Sequence, residues 1–108
     1  MTRLGILGGT FDPPHYGHLT LAENARVQLS LERVLFVPAG RQPLKQERSI
    51  SPVRHRVAMV KAAIAGNADF GLSRVDVDRP GPHYTDDMLA LLQEAHPEAE
   101  LLFLIGSD

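Results

Sequence analysis

At 108 residues and a formal net charge of −2, the chain has room for one small hydrophobic core, a single domain over 1–108, and no field that would gather nucleic acid or an acidic membrane surface. It contains no cysteine, which excludes disulfides, thiolate metal sites and cysteine nucleophiles. Apolar content of 44% and charged content of 22% are ordinary for a globular domain, so any anion site has to be built from individually placed groups.

The chain opens on an apolar run at 3–7 that reads as a strand. Gly8-Gly9-Thr10-Phe11-Asp12-Pro13-Pro14-His15-Tyr16-Gly17-His18 then turns into a helix predicted over 16–30, with Leu19, Ala22, Arg26 and Leu29 in one stripe and Arg26 as its polar interruption. A second strand is predicted over 34–37. The polar stretch 39–50 has no periodicity, and loops of that length are often functional. Helix two opens at Ser51-Pro52, a cap residue followed by proline at the first helical position, carries Val53, Val57, Val60 and Ile64 on one face, and closes at Gly66. Arg54 and Arg56 flank its start, where cations oppose the dipole; a bound anion or placement at the surface would each account for them. A strand at 70–73 follows. A third helix starts near Thr85-Asp86-Asp87, buries Met88 or Leu89 with Leu92 and Ala95, and ends before Pro97. A strand at 101–105 completes the pattern.

Strands alternating with helices predict an α/β fold, a doubly wound parallel sheet of order 3-2-1-4. Its ligand crevice is expected where the order reverses, beyond the carboxyl ends of strands one and four. No run approaches membrane-spanning length and the N-terminus enters a strand at once, so a cytoplasmic location without membrane or nucleic-acid partners is expected.

A strand-to-helix turn such as 8–18 suits phosphate, because N–H groups at the helix start point outward and the helix dipole favours negative charge. Without Cβ atoms, Gly8 and Gly9 are expected to let the backbone turn sharply and a ligand approach the main chain. Pro13 and Pro14 stiffen the loop, and Gly17 leaves room between His15 and His18, which are expected to face one anion. By themselves the two histidines could equally be surface residues at a helix start. Thr10 reads as a cap or a phosphate contact, and Phe11 as a core residue. Asp12 reads as a local Asx turn. The segment is neither a dinucleotide G-x-G-x-x-G nor a P-loop.

The string GGTFDPPHYGH resembles the signature of the H-x-G-H nucleotidyltransferase superfamily, and within it most resembles the bacterial nicotinate mononucleotide adenylyltransferases. Three further stretches are similar to that family in order and spacing: Phe36-Val37-Pro38-Ala39-Gly40 with Pro43-Leu44-Lys45, Arg79-Pro80-Gly81-Pro82-His83-Tyr84-Thr85, and Ile105-Gly106-Ser107-Asp108. The resemblance implies adenylyl transfer from ATP to nicotinate mononucleotide, giving deamido-NAD and pyrophosphate in NAD biosynthesis, with Mg2+ entering on the ATP, where Asp12 could reach it indirectly as the alternative to its Asx turn. It makes His15 and His18 the catalytic residues, acting as phosphate donors. Gly8, Gly9, Thr10, Phe11, Lys45, Gly106 and Asp108 would line the ATP, and His83, Tyr84 and Thr85 the pyridine ring and its carboxylate. Leu44 stands where the family usually has histidine and His83 where serine is common, while Asp86 and Met88 depart from the usual continuation.

Two alternatives stay open. A superfamily relative such as phosphopantetheine adenylyltransferase shares the loop, although the P-G-P-H-Y-T stretch argues against it; a fragment that binds nucleotide or self-associates without turnover is the reading from another class. The family continues to a motif of the form I-S-S/T-T-x-x-R that is absent from these residues, so the chain is expected to be an N-terminal portion, stopping before a fifth strand. It is then expected to bind ATP weakly and turn over more slowly than a longer form by orders of magnitude. Strand four, apolar and without a fifth strand on its outer side, would offer that edge to a second copy.

Overall fold

In the computed structural model the described residues are 2–40, 51–78 and 85–104, so the expectations for Lys45, His83, Tyr84, Gly106 and Asp108 lie outside them. The elements are β1 (Thr2–Gly9), α1 (Tyr16–Gln28), β2 (Arg33–Pro38), α2 (Val53–Ile64), β3 (Phe70–Leu72), α3 (Thr85–Ala95) and β4 (Ala99–Leu104). The four strands form one parallel sheet in the order β3-β2-β1-β4, as the alternation predicts.

Both faces of the sheet are covered, which is why β1 and β2 are nearly continuous apolar runs. Leu7, Val34 and Phe36 point into a cluster with Ala22 and Ala25 of α1 and Val60 and Ile64 of α2. Leu4, Ile6, Leu35 and Val37 point the other way, against Met88 and Leu92 of α3. Each such side chain, when fully buried, contributes about 1.5–3 kcal/mol.

The predicted stripes hold where packing is regular and fail at helix ends. α1 stops at Gln28, Ser30 takes a left-handed φ of 55°, and this turn leaves Leu29 exposed while Leu31 enters the core in its place. α2 buries Val57, Val60 and Ile64, and Gly66 closes it at φ 82°, a conformation suited to glycine. Its start differs from expectation: Pro52 is the N-cap, with no side-chain cap bond, and Ser51 serves a different purpose described below. α3 buries Met88 and Leu92, but its last residue, Ala95, is exposed, and Ala99 and Leu101 complete that side of the core. β4 starts at Ala99, two positions before the predicted strand. Among the described residues no helix is long and apolar enough to cross a membrane.

Candidate active site

The order β3-β2-β1-β4 reverses between β1 and β4, so the loop from Thr10 to His15 sits at the switch point of the sheet, where open α/β folds bind ligands. Gly8 and Gly9 do not make the turn. Both are extended residues of β1, opposite Val37 and Pro38, and a Cβ on either would meet neighbours only at ordinary contact distances, 3.5 Å from Phe103 and 3.4 Å from Phe11. The turn is made by Phe11, at φ 53°, and by the cis peptide bond between Asp12 and Pro13. The fold therefore tolerates a methyl group at 8 or 9, and packing alone does not require glycine at either position.

Phe11 is held by its side chain, 2% exposed, which sits edge-on to His18 at 4.9 Å between ring centroids and near Phe36 at 5.8 Å. This bears out the core reading of Phe11.

His15 and His18 form a reciprocal capping box at the head of α1. The Gly17 N–H donates to His15 Nδ1 and the His15 N–H donates to His18 Nδ1, each at 3.0 Å. The rings lie 4.0 Å apart. A ring nitrogen that accepts a hydrogen bond carries no proton, so each neutral imidazole keeps its proton on Nε2. Capping thus sets both rings to the tautomer in which Nε2–H is the donor. Gly17 makes this possible, since a Cβ there would come within 2.8 Å of His15 Cε1. The first turn of α1 has no acidic residue, so its dipole is not satisfied from within the helix.

Behind the loop lies the clearest departure from expectation. Arg56 is 3% exposed, neither at the surface nor at the helix start as an anion ligand. Its guanidinium donates to four carbonyls: Ala39 at 2.7 Å, Ser51 at 2.9 Å, Thr10 at 3.1 Å and Gly40 at 3.4 Å. Burial pulls its pKa below the ordinary arginine value, and the charge of Asp12 partly opposes this. Sequence offers one signal for it: Arg56 lies three positions after Val53 and four before Val60, on the apolar stripe itself. Buried Asp76 was not anticipated either; its Oδ2 accepts from the Gly40 N–H at 2.7 Å. Arg54 is exposed.

Asp12 reaches across the fold, where a local turn was one expectation, and its Oδ2 accepts from the Ser51 N–H at 2.8 Å. That backbone bond is the main cause holding its carboxyl below the usual range, with the Ser51 side chain and the Arg56 charge adding to it. A depressed carboxylate pKa gives stability that is present above the ordinary aspartate range and is lost as the pH falls through the lowered value, below about 4. Acid titration of the melting temperature should therefore fall more steeply for the native chain than for Asp12→Asn, whose amide oxygen can still accept from Ser51 but does not titrate. Parallel curves would remove the ionised tether. Among the described residues no group of three or more His, Asp or Glu side chains is placed to hold a metal ion.

A parallel sheet whose reversal point carries a histidine-capped helix start is an open α/β domain with its ligand crevice at that loop. The chain belongs to the cytidylyltransferase-like family, whose profile matches residues 6–108. Among curated proteins it is 56% identical to a probable nicotinate-nucleotide adenylyltransferase of Thermomicrobium roseum, over 100% of this chain and 50% of that protein. It is 46% identical to the protein of the same description in Bacillus pumilus, over 100% of this chain and 57% of that one. The chain spans about half the length of the curated relatives it matches. Its fold is similar to that of Plasmodium falciparum nicotinic acid mononucleotide adenylyltransferase, solved with NaAD, at a TM-score of 0.76 and 21% identity, covering 95% of this chain and 51% of that one.

Proposed function

We propose that the chain carries the ATP-binding half of a nicotinate-nucleotide adenylyltransferase, which joins nicotinate mononucleotide to the AMP moiety of ATP and releases pyrophosphate. The observation that carries this reading is the capping box, with two imidazoles set as Nε2–H donors at the switch point of the sheet. The names borne by relatives at 46–56% identity support the choice of substrate.

The reaction asks little proton chemistry of the protein. The attacking 5′-phosphate is already anionic near neutral pH and needs no general base, so catalysis reduces to holding two polyanions in line and stabilising the charge that spreads at the α-phosphorus. In this reading His15 and His18 donate to phosphate oxygens, and Gly8, Gly9 and Thr10 admit the triphosphate to the main chain. Lys45, Gly106 and Asp108 complete the ATP site. Magnesium enters with the triphosphate, held by phosphate oxygens and water. The start of α3 at Thr85, with His83 and Tyr84 before it, receives the pyridine carboxylate, an anion suited to a helix N-terminus. A cytoplasmic location goes with this chemistry.

The deciding experiment supplies nicotinate mononucleotide and Mg-ATP and follows pyrophosphate release, beside calorimetry with ATP alone. Release that depends on nicotinate mononucleotide supports the proposal. Release with phosphopantetheine instead would select a different adenylyltransferase, and ATP binding without turnover would select a nucleotide-binding fragment.

The partner is a further part of the reading. In the described sheet β4 is an edge strand carrying Leu101 and Leu102, with Phe103 38% exposed, a template for pairing with another chain. We expect two copies to join across this edge and Phe103→Lys to shift the protein toward monomer. Light scattering that reports a clean monomer at tens of micromolar would overturn the dimer.

A further inference from the structure

We propose that Arg56 is a positioning residue for the phosphate loop: by clamping the Thr10 carbonyl to the end of β2 and the start of α2, it fixes the Thr10–Phe11 peptide and turns the Phe11 N–H toward the bound anion. This rests on the reading that the loop binds triphosphate.

Taking an arginine out of water is unfavourable unless its donors find partners. Here they do, yet the acceptors are all neutral carbonyls, from three separate chain segments. A side chain serving only to fill the core would be apolar, as Val57 and Val60 beside it are. What the guanidinium adds is the orientation of specific peptide groups.

That orientation has a direct consequence. In a planar trans peptide the C=O of one residue and the N–H of the next point in opposite directions. The Thr10 carbonyl accepts from Arg56, so the Phe11 N–H is directed away from Arg56. The two carboxylates reinforce the clamp. Gly40 is held through its N–H by Asp76 and through its carbonyl by Arg56. Ser51 is held through its N–H by Asp12 and through its carbonyl by Arg56. Phe11, at φ 53°, needs such surroundings, because a non-glycine residue in that region persists only where neighbours over-determine it.

Lysine keeps the charge and most of the stem but brings its donors from one point, so it cannot reach three segments as a planar fork does. Arg56→Lys is therefore expected to fold, to weaken Mg-ATP binding roughly tenfold or more in calorimetry, and to speed amide exchange at Gly40 and Ser51. In the native chain the Arg56 Nε–H should exchange slowly by NMR, a measurement that does not depend on any variant folding. Arg56→Lys binding Mg-ATP like the native chain, or a native Nε–H that exchanges like that of a solvated arginine, overturns the proposal. A native chain with protected Nε–H, Gly40 and Ser51 that binds no Mg-ATP would instead overturn the functional reading.

Discussion

His18→Glu should become more stable than His18→Ala while binding ATP less well, and these opposite signs separate the two tasks of this side chain. His18 occupies the third helical position of the capping box, where glutamate is a standard partner, able to accept from the His15 N–H and to meet the helix dipole with negative charge. Restoring a cap of this kind is worth about 1 kcal/mol. The imidazole donor is lost in both variants. A charge-assisted contact to phosphate contributes about 1.5–3 kcal/mol, so His18→Ala should lose roughly tenfold or more in ATP affinity. The glutamate adds repulsion of the triphosphate and should lose more. Calorimetry and thermal melts on the two variants decide it; glutamate binding ATP as tightly as alanine would mean that no anion sits at this helix start.

Phe11→Ala is expected to have the largest effect on stability, because it removes a nearly fully buried ring from the cluster beneath the loop. Replacing a core phenylalanine by alanine costs about 3–5 kcal/mol, a large share of the 5–15 kcal/mol that holds a typical domain together. Phe11→Gly empties the same space, yet glycine adopts φ 53° without strain, whereas alanine does not. Glycine should thus be the milder substitution, reversing the usual order. Urea midpoints measured at equal slopes are the test, and alanine proving the milder of the two would show that the loop does not impose the left-handed backbone.

The strand order and the faces of α2 and α3 were legible because they follow from spacing: Val57, Val60 and Ile64 are buried at helical intervals, and Leu4 and Ile6 alternate with Leu7 across β1. The histidine pair was legible as well, since its position between glycines and a helix start is written in one stretch of chain. The clamp was not. Arg56 acts on carbonyl groups, which every residue possesses and none advertises, and its partners come from Thr10, Ala39, Gly40 and Ser51 together. For the same reason Ser51 read as a helix cap, although its own N–H and carbonyl carry its role. Leu29 was misplaced because the helix ends a residue before it, at a turn made by Ser30, which has no strong local signature.

The pairing of β1 also constrains how the domain is made on the ribosome. One side of β1 meets β2 soon after it is synthesised, but the other meets β4, with Thr2 opposite Ala99 and Leu7 opposite Leu104. Pairing between such distant segments is slow, because the intervening chain must be ordered before the contact rewards it. Throughout the translation of α2, β3 and α3, the nascent chain therefore carries β1 with one ladder of backbone groups unclaimed, and nothing earlier than β4 can close it in the native register.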